Sequence, residues 1–393
     1  MIVEIHMIQN HNPANLNRDD LGAPKTCIFG GGIRARISSQ CLKRSIRRSQ
    51  EFSAALEKDG GVRTRRLIDL IAKAASKGKE IDGKKRNAIR KSFENGGVPL
   101  KKDEDTFEIL FFLPQSAIEE MGDVVRQCEG DPDENKLGEK FAEIIRQFVK
   151  TPDIALFGRM TEFDAKGKFQ CLKGKFSVEA ALYAANAIST HEVVNEVDYF
   201  TAADDIPGPD AGAAHVNEAL FNSACFYKYF VIDFEQLKKN LENNVELAFT
   251  TVKCFLEGAV KAYPSGKQHA FAAFNPPEGV LVEIKPTSAN SISYANAFAD
   301  PVPIKSERGL IAESIFRLGH YAHDLMVGFG TEAKRFWFSP NLRYRLTWID
   351  QDDKGKKEER SVVDANEYGT FDEFIDSIMN TIKKSGEPSE AAR

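Results

Sequence analysis

Val3, Ile5 and Met7 alternate with Glu4, His6 and Ile8 at the start of the chain, the period-two pattern of a strand with one better-buried face. A polar loop from Gln9 to Thr26 follows. Alternation returns as Ile33, Ala35 and Ile37 against Arg34 and Arg36, which predicts a second short strand with its arginines on one face. The period then changes: Ser38 or Ser39 can cap a helix in which Leu42, Ile46, Ser49 and Leu56 share one side, opposite Lys43, Arg44, Arg47 and Arg48.

From about Asp59 to Gly174 the chain carries helix-length apolar repeats, basic clusters such as Lys84-Lys85-Arg86, and breaks at Gly96-Gly97, Gly130-Asp131-Pro132 and Pro152. This reads as a helical insertion. A helix is predicted over Val178 to Ala187, and a projecting loop or hairpin between Glu196 and Val216, rich in Asp, Ala, Gly and Pro and flanked by Tyr199-Phe200 and Phe221. Phe221 to Ile232 reads as an aromatic strand. Asp233 would then cap a long helix whose buried stripe runs from Leu237 to Ala259 and ends before Pro264. Strands are predicted at Ala270 to Phe274 and Val280 to Lys285, and the charged stretches from Asp350 to Lys357 and Lys383 to Arg393 as a mobile tail. Without the insertion the order is strand, helix, strand, helix, strand. That is an α+β fold of the split βαβ or ferredoxin-like kind, a scaffold shared by many RNA-binding domains.

Length adds that 393 residues, 42% of them apolar, make about two or three domain-sized units. The start, Met1 to His6, has no charged leader, and no stretch approaches the roughly 18 apolar residues of a membrane span. A cytoplasmic protein is expected. Six cysteines without a C-x-x-C pair point to reduced, mostly buried thiols, with no metal site and no cofactor.

Charge changes the picture more. The formal net of -5 comes from 53 basic and 58 acidic residues, but residues 1–102 carry 22 Lys and Arg against 10 Asp and Glu. That stretch is at +12, so the remainder, 31 against 48, is at -17. On the helix after Ser38, Lys43 faces Arg47 and Arg44 faces Arg48 without interleaved Glu. Like charges at that spacing repel unless an anion joins them, which favours phosphate binding over a solvated face.

The other candidates are weaker. Gly30-Gly31-Gly32 can be a turn or a close-approach loop for phosphate, but it has neither the lysine of a Walker loop nor G-x-G-x-x-G spacing. Asp19-Asp20 and Asp204-Asp205 are carboxylate pairs of the kind a metal-dependent phosphodiesterase would use, and also of the kind that caps turns. His320 and His323 are expected on the wet side of a helix, and His191 as a structural residue. Tyr199 and Phe200 can stack on bases or anchor the loop root.

The chain resembles CasC, the backbone subunit family of type I-E CRISPR Cascade complexes. The blocks carrying the likeness are Leu16-Asn17-Arg18-Asp19-Asp20, Ile28-Phe29-Gly30-Gly31, Arg36-Ile37-Ser38-Ser39-Gln40 with Leu42-Lys43-Arg44, Gly158-Arg159-Met160, Thr190-His191, Asp198-Tyr199-Phe200-Thr201-Ala202, Ala272-Ala273-Phe274-Asn275-Pro276 and Ala295-Asn296-Ala297-Phe298, in order over roughly residues 1–300.

The resemblance implies an RRM-like palm (residues 1–58, 175–195 and 220–393), a helical fingers insertion (59–174) and a thumb hairpin (196–219). It implies copies polymerising head-to-tail on one CRISPR guide RNA, beside the subunits CasA, CasB, CasD and CasE, kinking the guide and presenting its bases to target DNA in antiviral defence. Arg18, Lys25, Ser38, Gln40, Lys43, Arg44 and Arg47 would hold guide phosphates, Met160 would wedge beside a displaced base, and Tyr199, Phe200 and Thr201 would be thumb contacts. Lys136 and Lys140 would touch target DNA, although the family's lysine pattern is thinner here. No catalysis is implied. The alternative is an RNA endonuclease using Asp19 or Asp20, as in related backbone subunits of type III systems.

Overall fold

A computed structural model describes residues 1–54, 61–102, 104–147, 151–160, 163–173, 177–201, 216–351, 355–363 and 368–386. The loop 202–215 with Asp204-Asp205, Leu56 and the last residues of the expected tail lie outside them.

The strands are β1 (Ile2–Ala14), β2 (Thr26–Phe29), β3 (Gly32–Ile37), β4 (Gly61–Thr64), β5 (Phe111–Pro114), β6 (Leu182–Ala184), β7 (Ala187–Ser189), β8 (Glu196–Thr201), β9 (Val216–Asp233), β10 (Gly279–Lys285), β11 (Lys334–Phe338), β12 (Thr347–Gln351) and β13 (Lys357–Ser361). The helices are α1 (Ser39–Arg47), α2 (Gln50–Ala54), α3 (Leu67–Ala75), α4 (Gly83–Asn95), α5 (Gln115–Gln127), α6 (Glu134–Gln147), α7 (Pro152–Phe157), α8 (Phe234–Asn240), α9 (Val245–Lys261), α10 (Gln268–Phe271), α11 (Leu310–Phe329) and α12 (Phe371–Gly386).

The chain divides into two units, one of residues 1–51, 183–233 and 253–393, the other of residues 52–182 and 234–252. The first is built on a sheet of order β11-β10-β1-β9-β7-β3-β2, antiparallel at each junction along that path. Central β1 places Ile5 opposite Val282 on one side and Phe230 on the other. Its odd-numbered residues Val3, Ile5 and Met7 are fully buried, and on the same face Phe230 meets Phe255 edge-on at 5.6 Å. The other face packs Ile8, Tyr227, Tyr229 and Leu281 against Tyr294, Phe298 and the Ile315–Leu318–Ala322 stripe of α11.

That second face also buries charge. Lys285 donates to Glu4 and lies 3.2 Å from Glu283, and Arg335 Nε donates to Glu283 at 2.6 Å. Burial pushes both carboxyls upward, but His6, Lys285 and, for Glu283, Arg335 outweigh it and hold them below the ordinary carboxylate value. Glu4, His6 and Glu283 cluster closely enough for a metal ion, yet the Lys285 ammonium already sits between the two carboxylates. Two acids face Lys285 and Arg335, so the cluster reads as a paired structural network.

In the second unit, helices α3 to α6 enclose a core centred on Phe93, Phe107, Phe111, Phe141 and Phe169, with the small ribbon β4–β5 beside them. The expectation of helical structure in this stretch holds.

Several sequence expectations fail. Val178 to Ala187 is not a helix: β6 lies there and β7 begins at its end. Its alanines favour a helix locally, but β7 pairs with both β3 and β9, and that tertiary pairing overrides propensity. The long helix after Asp233 is two helices, broken where Glu242 and Asn243 take left-handed φ of 54° and 63°. Ala270 to Phe274 is no strand but α10 and a loop, turned at Ala272 with φ 47°. The described parts of the charged stretches lie in or beside regular elements: Asp350 pairs with Glu358 across β12–β13, and Lys383 and Lys384 lie in the last turn of α12, while 352–354 and 387–393 lie outside the described residues. The first stretch belongs to the β12–β13 hairpin, whose β12 packs on α11. There His320 Nε2 accepts the Ile349 N–H at 3.0 Å and His323 stacks on Trp348 at 3.5 Å, so neither histidine is the free wet residue expected.

Candidate nucleic-acid interface

The N-terminus of α1 is held by three side chains. Ser38 is the N-cap, its hydroxyl accepting the Cys41 N–H at 3.3 Å. Asn17 Oδ1 accepts the Ser38 N–H at 2.8 Å, and Asn186 Oδ1 the Ser39 N–H at 3.0 Å. Leu42 and Ile46 are buried, which turns Arg44 and Arg48 outward while Lys43 and Arg47 sit half-buried in contacts at the helix flank. Gln40 is exposed on the first turn, and Lys25 is half-buried, its N–H donating to Asn17 O and its carbonyl accepting from Arg36 N–H.

The loop preceding β2 is set by Asp19, whose Oδ1 accepts the N–H groups of Leu21 and Ala23, both at 2.9 Å. This Asx turn leaves Arg18 and Asp20 exposed. Asn15 ties the loop down by donating to Gly22 O and Leu220 O at 2.9 and 2.8 Å.

Two cavities adjoin along α1. One, about 500 Å³, is lined by Arg18, Asp19, Asp20, Cys41 and Gly266 among others; the next, about 440 Å³, by Arg48, Glu51, Lys261 and Tyr263. Arg44, Ser45 and Ser265 line both, so the two cavities adjoin as a trough along α1. One wall is α1. The other is the segment following α9, and its close approach depends on Gly266: a Cβ there would lie 2.4 Å from Leu16 O and 2.7 Å from Asn15 O.

Arg18 and Arg44 are thus brought together, with Arg48 of the basic helix face. Lys261, Tyr263 and Ser265 were missed by sequence reasoning. No local signal marks them, because they meet α1 only through the fold; the one hint is Pro264-Ser265-Gly266, a helix-ending turn with a glycine. The remaining candidates lie elsewhere. Met160 belongs to the second unit and is 95% exposed. Tyr199 and Phe200 are exposed on β8, where Thr201 pairs with Val216. Lys136 and Lys140 are exposed on α6, Lys140 paired with Glu143 at 3.2 Å.

One reading is corrected and one left open is settled. The arginines of β3 are not a cationic face: Arg34 is fully buried, donating to the carbonyls of Ser189, Phe298 and Ala299 at 3.2, 3.0 and 3.1 Å. Burial lowers its pKa, opposed by the Glu192 charge. The glycine run is a hairpin turn between β2 and β3, with Gly30 and Gly31 both at positive φ (59° and 81°). A Cβ on Gly30 would lie 1.7 Å from Ala299 O, so the close approach that glycine permits there is to protein.

An antiparallel sheet carrying helices defines a mixed α/β protein, with four cations (Arg18, Arg44, Arg48, Lys261) and three carboxylates (Asp19, Asp20, Glu51) lining the cavities along α1. The family model described as CT1975-like protein matches residues 3–372, and the chain belongs to that family. Among solved structures, a chain of "CRISPR RNA-guided surveillance complex, pre-nicking" is similar at 27% identity and TM-score 0.80, over 97% of this chain and 100% of that one. A chain of another "CRISPR RNA-guided surveillance complex", 24% identical at TM-score 0.70 over 97% of this chain and 100% of that one, shares the fold. No curated protein matches. Among the described residues, no helix is long and apolar enough to cross a membrane.

Proposed function

We propose that this protein is a non-catalytic CRISPR RNA-binding backbone subunit of a type I-E Cascade complex, assembling head-to-tail along the guide. The observation that carries the reading is the trough along α1, four of whose lining residues are the cations Arg18, Arg44, Arg48 and Lys261, on a fold like that of a surveillance-complex chain. Phosphate contacts from such a wall fix the strand and leave its bases free to pair with target DNA. The sheet order β10-β1-β9-β7, with α1 and α9 as crossovers, supports an RRM-like palm. In this reading the second unit supplies the fingers, with Met160 as the wedge and Lys136 and Lys140 toward target DNA, and the β8–β9 ribbon is the root of the thumb. Ser38, Gln40, Lys25, Lys43 and Arg47 complete the guide contacts around α1. Asp19 spends one carboxylate oxygen on two backbone N–H groups, which favours a turn role over nuclease chemistry.

The test is to purify the protein from cells carrying a CRISPR array and sequence the RNA that accompanies it. Repeat-spacer transcripts are expected, and Arg44→Glu with Arg48→Glu should abolish their retention while the far-UV spectrum is unchanged. Retention at the wild-type level in that variant would refute the groove.

A further inference from the structure

Tyr263, on the trough's second wall, packs against another aromatic ring. Tyr263 lines the cavity beside Arg48 and Lys261 and meets Phe274 edge-on, ring centroids 5.7 Å apart at 79°. Phe274 is 58% exposed. Its backbone is fixed on both sides: Ala273 is fully buried, Asn275 O accepts Gln9 Nε2 at 2.5 Å, and Asn275 Oδ1 accepts the Asn12 N–H at 3.2 Å. Two residues earlier Ala272, a non-glycine, takes φ 47°, and its carbonyl accepts the Phe274 N–H at 2.8 Å. A hydrogen-bonded loop with a left-handed alanine therefore holds one ring outward on a rigid base.

Cations lining the trough and an exposed, pre-oriented ring packed on one of its lining residues are the two halves of a single-stranded nucleic-acid site, one for the phosphate and one for its base. We propose that Phe274, backed by Tyr263, is a stacking platform for one base of a single-stranded RNA whose phosphates lie against Arg44, Arg48 and Lys261. This rests on the trough binding RNA. Stacking needs only a π-face, so the platform would hold any of the four bases and suit a variable sequence.

Fluorescence anisotropy of a short fluorescein-labelled uridine oligonucleotide, and of an abasic ribose-phosphate strand of equal length, separates the two ideas on the full-length chain. Phe274→Ala should bind the uridine strand about tenfold more weakly, the order contributed by one base–aromatic stack, and bind the abasic strand as the wild type does. Phe274→Leu should behave like the alanine variant, and Phe274→Trp should restore affinity with its emission quenched by the uridine strand. Melting temperatures should coincide, since the ring is exposed. Equal affinity of Phe274→Ala and wild type for the uridine strand would overturn the platform, as would equal weakening on both strands. A wild type that binds neither strand would overturn the groove itself, and the platform with it.

Discussion

Arg34 and Arg44 show how differently one residue type serves this protein. Both come from the same short basic stretch, and charge alone does not distinguish them. Arg34 points inward and gives three carbonyl groups their donors. Arg44 points into the trough. Replacing Arg34 with Met strands those carbonyls at about 1–3 kcal/mol each, so urea unfolding should register a loss of at least about 3 kcal/mol. Arg44→Ala should stay within about 0.5 kcal/mol of wild type while weakening RNA binding. Histidines add a pH signature. Burial first, then the Lys228 charge, lowers His11 to about 3; burial and then Arg34 lower His191 to about 4; the ordinary value is 6.5. Below pH 6.5 the unfolded chain takes up protons that the folded chain refuses, so stability falls with pH, by about 1.4 kcal/mol per unit for each residue. Glu4 and Glu283, held low, add to the loss only as pH falls through the carboxylate range. Urea midpoints at pH 7.5 and 5.5 should therefore separate, and His11→Gln with His191→Gln should bring them together. An unchanged separation in the double variant would assign the effect elsewhere.

At the scale of elements, periodicity was legible wherever residue character alternates between two faces, even where both are buried, as on β1. The α1 stripe expected to continue through Ser49 stops where the helix ends at Arg47. The alternation of β1, the Ser38 cap, the Leu42–Ile46 part of that stripe and the aromatic run of β9 read correctly, because each local preference agrees with the tertiary environment. Where they disagree, reading failed, as in the alanine-rich stretch that became β6 and β7, or the helix pattern broken at Glu242-Asn243. The trough was half legible for the same reason: α1 announces its cations by spacing, whereas Lys261 and Tyr263 reach it only through the chain's return along α9. The β8–β9 ribbon tests element-level logic directly. Tyr199 and Phe200 are 68% and 49% exposed on opposite faces of a two-stranded extension of β9. Such a ribbon gains little from its own fold and has apolar surface on both sides left to bury. Tyr199→Ser with Phe200→Ser should leave the melting temperature within about 2 °C of wild type, as exposed substitutions do. On the proposed function, the number of copies assembled per guide, measured by native mass spectrometry, should fall. A full complement on the guide would separate the ribbon from assembly.

Across the whole molecule the charge is polarised along the sequence, +12 over residues 1–102 and -17 over the rest. A head-to-tail contact joins two different surfaces, so copies of one chain can meet through opposite charges, which a two-fold contact between like patches does not offer. If acidic surface of one copy faces basic surface of the next, salt should loosen the contact, since the screening length shrinks from about 10 Å at 0.1 M to about 3 Å at 1 M. RNA binding itself weakens with salt, at a slope of about -0.7 per phosphate contact on a single strand, so a bare salt titration would mix the two effects. A guide long enough for one copy isolates the RNA term, and a guide for several copies contains both. The multi-copy guide should show the steeper decline per copy, and the excess slope measures attraction between neighbours. Identical slopes per copy would mean that the neighbours meet through apolar surface, with the β8–β9 ribbon as the first element to examine.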